Sequence, residues 1–240
     1  MAGSLPGNKM DRNDDKNVKK VQPSESFPMA VILTLVGGFL DAYTYVCRDG
    51  VFANAQTGNF ARLAISLAQG NLFDALRYFA SIMAFVAGVT IAMRICFTMK
   101  KSTFLHWRQV CVLLEIVLLV GISFIPVGDI SNIFANVLVS LTCAIQVETF
   151  RRFQGNVFAS TMCTGNLRNA TENLNHFWQT GNHENRDKSV RYFSIDITFV
   201  VGAVIGTLCT KAWSVRAVLV CCAALAVCFL MMTFGGREEE

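Results

Sequence analysis

The chain has 240 residues, 53% of them hydrophobic and only 16% charged, with a formal net charge of +4. That balance is too apolar for an ordinary soluble domain of this length, and a small charge carried beside apolar runs excludes a nucleic-acid-binding face. The nine cysteines form no CxxC pair and sit mostly in or beside apolar runs, so they read as small apolar packers, not a disulfide framework.

Residues 1–26 are polar and mix lysines with aspartates. They lack the apolar core of a signal peptide and read as a solvated, disordered cytoplasmic tail. The first apolar run, Phe27 to Val46, is long enough for a spanning helix. It contains Asp41, and an acid inside a spanning segment is a functional candidate by default. Next comes Val51 to Gly70, polar at Asn54, Gln56, Thr57 and Asn59 and apolar from Phe60 to Ala68. This pattern predicts a re-entrant or broken element, with Thr57 or Asn59 capping a short helix, Gly58 free to adopt unusual backbone angles, and amides turned toward a solute.

Further apolar runs at Asp74 to Arg94, Leu105 to Phe124 and Ile130 to Phe150 predict helices two to four, with Glu115 in the middle of the third. Glu148 stands beside Arg151 and Arg152, which predicts an interfacial ion pair. A second glycine-broken loop, Val157 to Asn166, precedes a polar stretch to Lys188 that reads as a solvated loop. Its His176, His183 and Glu184 lack the spacing of a helical zinc pair. Tyr192 to Lys211, with Asp196 inside it, and Arg216 to Phe234 predict helices five and six, followed by an acidic tail, residues 237–240.

Four motifs recur in the same order: Val51-Phe52-Ala53 as Val157-Phe158-Ala159, Thr57-Gly58-Asn59 as Thr164-Gly165-Asn166, Arg77-Tyr78-Phe79 as Arg191-Tyr192-Phe193, and Phe85-Val86-Ala87-Gly88 as Phe199-Val200-Val201-Gly202. The repeat divides the membrane part into residues 27–126 and 127–236. Three spanning helices per repeat place the second copy upside down relative to the first, a transporter signature. Lys and Arg concentrate in the N-terminal tail and in the connections 94–108 and 151–191. Both termini are therefore expected in the cytoplasm.

Through GGFLDAYTY, the following FANAQTGN and the second TGN, the chain resembles the YoaK-like family of small integral membrane proteins, domain of unknown function 1275. The likeness runs from Phe27 to Phe234, although Val147 and Glu148 stand where similar proteins tend to carry Asn-Ala. The resemblance implies six spanning helices in a cell membrane and brings no substrate or reaction with it.

The fold class expected is thus an all-α polytopic membrane protein, six helices in two inverted three-helix repeats, each with a re-entrant or broken TGN loop. Its expected role is a small secondary transporter or permease for a small polar or anionic solute, with a passive channel or a non-transporting scaffold as alternatives. Asn54, Gln56, Thr57, Gly58, Asn59, Thr164, Gly165 and Asn166 are the candidate solute-binding residues, and Asp41, Glu115 and Asp196 the candidate coupling or gating acids. Cys163 with His176 carries no orienting signature for a thiol nucleophile, so no enzymatic activity, metal or cofactor is expected. The expected partners are the lipid bilayer and a small-molecule or ion solute, with homo-oligomerisation left open.

Overall fold

The computed structural model describes residues 26–99, 106–153, 156–157 and 163–235. The expected terminal tails, up to residue 25 and from Glu238 to Glu240, and Phe158-Ala159 of the second loop motif lie outside the described residues. The chain is almost wholly helical: α1 Phe27–Cys47, α2 Gln56–Ala68, α3 Leu72–Met99, α4 Trp107–Ile122, α5 Asp129–Thr149, α6 Cys163–Thr180, α7 His183–Trp213 and α8 Leu219–Gly235. Two-residue antiparallel strands, β1 Arg152–Phe153 and β2 Asn156–Val157, precede α6.

Each predicted apolar run became a helix, because segments in lipid must satisfy their backbone polar groups internally. Four of them are long and apolar enough to cross a membrane: α1, α3, α5 and the run His183–Phe234, which joins α7 to α8 through a 3-10 turn at Ser214–Val218. α4 is shorter, at 16 residues. α3 and α7 expose Phe79, Met83, Val86, Met93 and Phe97, and Ile197, Val200, Val201, Val204 and Leu208. Apolar faces this broad have no place in water, and here they meet lipid tails. The protein is a multi-pass membrane protein.

α1 is the centre of the core. Its Met29, Leu33, Val36, Phe39, Leu40 and Tyr43 pack with residues of α4, α5 and α8. α1 lies along α7, and α3 along α5. In the first pair the Leu35 carbonyl abuts Gly202, the Phe39 carbonyl abuts Gly206, and the Tyr43 hydroxyl donates to the Val215 carbonyl at 3.3 Å, so the two helices run parallel. In the second pair Ser81 Oγ meets Ser140 Oγ at 2.6 Å and Gly88 packs on Leu141 and Ala144, again in parallel. Any side chain at Gly88 or Gly202 would strike the neighbouring backbone; small residues there let the helices approach closely.

α1 and α5 are antiparallel, since Asn132 lies at Arg48 and Gln146 donates to the Leu33 carbonyl. α4 and α8 are antiparallel too, with Gln109 on Thr233 and Cys222 on the Ile116 carbonyl. α2 folds back on α3, and α6 on α7, each through a glycine in the left-handed region: Gly70 at φ 72° and Gly181 at φ 68°.

The polar stretch after Asn166 corrects the expectation of a solvated loop. It forms most of α6 and the start of α7, tied by Ser189 Oγ donating to the Ala170 carbonyl at 2.8 Å and by Asn182, whose side chain caps α7 at Glu184. A 31-residue helix is about 46 Å long, more than a bilayer core of about 30 Å needs. The polar first turns of α7 therefore stand outside lipid, with the C-terminal end of α6 beside them, while the head of α6 reaches Asp196 further along α7.

Candidate functional site

Asp41 lies on the inner face of α1 and is buried. Its Oδ1 accepts the backbone N–H of Asn54 at 2.7 Å, and the amides of Ala53 and Ala55 also turn to the carboxylate. Asn54 in turn donates its Nδ2 to the Gly37 carbonyl at 3.1 Å. Gly37 lies ten positions before Cys47, so the loop after α1 descends about 15 Å beside the helix it has just left. The carboxylate thus gathers a turn of backbone amides that would otherwise be orphaned in the interior.

The loop is closed by Asn59, which is fully buried. Its Oδ1 accepts from the Phe52 amide at 3.2 Å, while Nδ2 reaches the Phe52 carbonyl at 2.7 Å, Gln56 Oε1 at 3.0 Å and Ser81 Oγ at 3.3 Å. Gln56 donates to the Ala53 carbonyl at 2.9 Å. Neither Thr57 nor Asn59 caps α2, contrary to expectation: the helix starts at Gln56, with Ala55 as an N-cap lacking a side-chain bond. Thr57 is exposed, and Gly58 lies against the Phe52 ring.

The second tripeptide repeats this division of labour. Thr164 and Gly165 are exposed while Asn166 is buried, and both Asn166 and Cys163 turn to the Asp196 carboxylate of α7. Cys163 also lies within electrostatic reach of Asp41. Thus Asp41 holds the loop of the first half through Asn54 and has the head of α6 from the second half close by. Asp196 Oδ1 has no hydrogen-bond partner.

Glu115 is apart from this group. It is completely buried in α4, neither oxygen has a partner, and Cys111, Cys143 and Cys228 are its neighbours in electrostatic range. Cys143 links the two regions, being close to Asn54, Asp41 and Glu115. Arginines near the helix ends are engaged away from these acids: Arg77 with Asp49 and Asp74, Arg168 with Glu172, and Arg62 with the Tyr78 hydroxyl over three aromatic rings. Glu148 meets Arg151 at 3.3 Å, the interfacial pair expected from their spacing. Among the described residues, no cluster of His, Cys, Asp and Glu could hold a metal ion.

Sequence reasoning missed Arg48. It is fully buried, and all five guanidinium N–H groups are used: Nε and Nη2 on the Tyr43 hydroxyl at 3.1 and 2.9 Å, Nη2 on the Ile125 carbonyl at 2.8 Å, and Nη1 on the Pro126 carbonyl and Asn132 Oδ1 at 3.0 and 3.1 Å. Asn136 then donates to the Arg48 carbonyl at 2.8 Å. The signal was present as a lone Arg after the apolar run, but its partners Ile125, Pro126 and Asn132 lie more than 70 positions along the chain.

No curated protein and no solved structure matches this chain. The family described as a protein of unknown function, DUF1275, matches residues 29–231, most of the chain and all of the helical core just described. The chain belongs to the DUF1275 family, to which its GGFLDAYTY and TGN motifs had pointed.

Proposed function

We propose that the protein is a small secondary transporter or permease of six crossings, built from two oppositely oriented three-helix halves, with a solute site where their broken loops meet at Asp41. One observation carries the reading: Asp41 anchors the loop of one half through Asn54 while Cys163, at the head of the other half's loop helix, lies within its field. The pairing of helices supports it. Gly88 and Gly202 occupy the same place in the recurring FVxG motif, and each packs on a leucine backbone, Leu141 in α5 and Leu35 in α1. Exchange of the halves therefore turns the α1–α7 pair into the α5–α3 pair, and the antiparallel run of α1 and α5 fits an axis in the membrane plane.

In this reading Asn54, Gln56, Thr57, Gly58 and Asn59 from one side and Thr164, Gly165 and Asn166 from the other border the path, with Asp41 as the coupling acid and Asp196 and Glu115 as further gating acids. Asp41 is suited to that role because its charge state sets how firmly the loop amides are held. The test is flux in proteoliposomes over a panel of small polar solutes, with and without a proton or sodium gradient. Wild type should accumulate a solute against its gradient, and Asp41→Asn should lose the coupling. Equal, uncoupled flux in both would make the protein a channel, and no flux across the panel would reject transport.

A further inference from the structure

We infer that the corner between α7 and α8 is a binding site for an anionic phospholipid, with the phosphate on Arg216 and an acyl chain along α8. The site uses none of the residues of the proposed transport path.

The chain turns sharply at this corner. α7 ends at Trp213, Ser214 takes a positive φ of 49°, and one 3-10 turn, Ser214–Val218, leads straight into α8. A positive φ is costly for a residue with a side chain and persists only where neighbours fix it. They do so here. The Val215 carbonyl accepts from the Tyr43 hydroxyl at 3.3 Å, Cys47 Sγ stands 3.8 Å from Ser214 Oγ, and Ala217 and Val218 are buried in the core. With those residues turned inward, Trp213 and Arg216 are left exposed. Together with Leu219, Val220 and Ala223 they line a groove of about 580 Å³.

Charge sets the kind of ligand. Lys211, in the last turn of α7, and Arg216 are exposed cations, and among the described residues no carboxylate pairs with either. The sequence from Ile197 to Gly235 holds no Asp or Glu. An anion is the complement of two uncompensated cations, and a guanidinium matches a phosphate through two parallel N–H···O bonds. A choline headgroup would bring a further cation to the corner, so an anionic lipid is preferred to a zwitterionic one.

The walls decide between a lipid and a free phosphate. Tryptophan is a residue of the membrane–water interface, and Trp213 beside Arg216 puts the guanidinium at headgroup depth. From the groove, Leu219, Ala223, Val227 and Leu230 follow one face of α8, all exposed. Leu219 to Leu230 rises about 16 Å, which carries an acyl chain from the headgroups to about the middle of a 30 Å hydrocarbon core. A free phosphate would use the guanidinium and leave these walls bare.

The experiment is thermal unfolding of the full-length purified protein in a neutral maltoside detergent at fixed ionic strength. Phosphatidylglycerol or phosphatidylcholine with the same chains is added stepwise. Phosphatidylglycerol should raise the midpoint saturably, by about 3–6 °C at about ten times its dissociation constant. Phosphatidylcholine should need at least about fivefold more. Arg216→Gln should raise the half-saturating concentration of phosphatidylglycerol about fivefold or more, and Arg216→Lys by less. Ala223→Phe fills the groove from an exposed position and keeps every charge, so it should weaken the lipid as well. Arg186→Gln removes the same charge near the other end of α7 and should bind as wild type does. Equal responses to the two lipids, a wild-type response from Arg216→Gln or Ala223→Phe, or an equal loss from Arg186→Gln would each overturn the site. So would a shift from glycerol 3-phosphate alone at the concentrations where the lipid saturates, since that anion needs no chain. Should Arg216→Gln fail to fold, Arg216→Lys and Ala223→Phe carry the comparison. Binding is read without flux, so either result leaves the proposed transport to its own test.

Discussion

Arg48→Met is the substitution whose consequence can be worked out most fully. It replaces a guanidinium that joins α1 to the end of α4 and the start of α5 with an apolar side chain of similar length, and strips donors from the Ile125 and Pro126 carbonyls, Asn132 Oδ1 and the Tyr43 hydroxyl. All of these meet a residue with no exposed surface. Each buried acceptor left without its donor costs about 1–3 kcal/mol, so the loss of several together comes to about 3–5 kcal/mol. For a domain of about 150–250 residues each kcal/mol is worth about 2–4 °C, so the midpoint of unfolding should fall by about 6–20 °C. Tryptophan fluorescence in detergent reads it. Arg48→Lys keeps the charge but loses the planar fork, and should recover less than half of the loss. A midpoint for Arg48→Met within about 2 °C of wild type would refute the clamp, since that is less than about 1 kcal/mol. Full rescue by lysine would show that charge alone matters and that the five bonds do not.

Other substitutions probe the packing, the orientation and the pH response. Gly88→Val and Gly202→Val each drive a side chain into a neighbouring helix backbone and should lower the midpoint by about 2–12 °C, from overpacking worth about 1–3 kcal/mol, while Gly121→Ala, with open space around it, should be neutral or slightly stabilising. Cysteines introduced at the exposed Gln69 and Gln179, near the α2–α3 and α6–α7 turns, should be labelled by an impermeant maleimide from opposite sides of the membrane. Labelling of both from one side would refute the opposed halves. His106 caps α4 by accepting from the Arg108 amide at 3.3 Å, and burial, followed by the nearby Arg108 charge, holds its pKa below the ordinary value of 6.5. The folded state then binds fewer protons than the unfolded one, so the stability this neutral imidazole contributes is present above pH 6.5 and is lost as pH falls through that value toward the folded pKa. His106→Asn should flatten that part of a midpoint-against-pH curve, and an unchanged slope would show that the cap does not titrate.

The apolar runs were legible because membrane helices are long and uninterrupted, and their observed ends differ mostly by a few residues from those read in the sequence. The hairpin of α6 and α7 was not. Residues 167–188 have no apolar stripe, and they hold helical shape by packing on each other outside lipid. The Gly181-Asn182 pair, a left-handed helix stop followed by an N-cap, was the available signal. Asp41 announced itself as an acid in an apolar run, but its use was hidden: it bonds a loop thirteen positions later that turns back into the interior. Asn59 and Asn166 were singled out with their whole tripeptides. Only coordinates separate the buried asparagines, Asn59 closing the first loop and Asn166 turned to Asp196, from the exposed threonines beside them.

The most direct measurement of whether the two broken loops meet is a cross-link between position 41 and the native Cys163. Asp41→Cys is made with the other cysteines replaced, reconstituted in lipid, and treated with a short bifunctional thiol reagent, the joined peptides being read by mass spectrometry. A control pair, native Cys47 with Ser214→Cys, joins positions whose Sγ and Oγ stand 3.8 Å apart. The account predicts that both pairs form. A control that links efficiently beside a 41–163 pair that never does would contradict it.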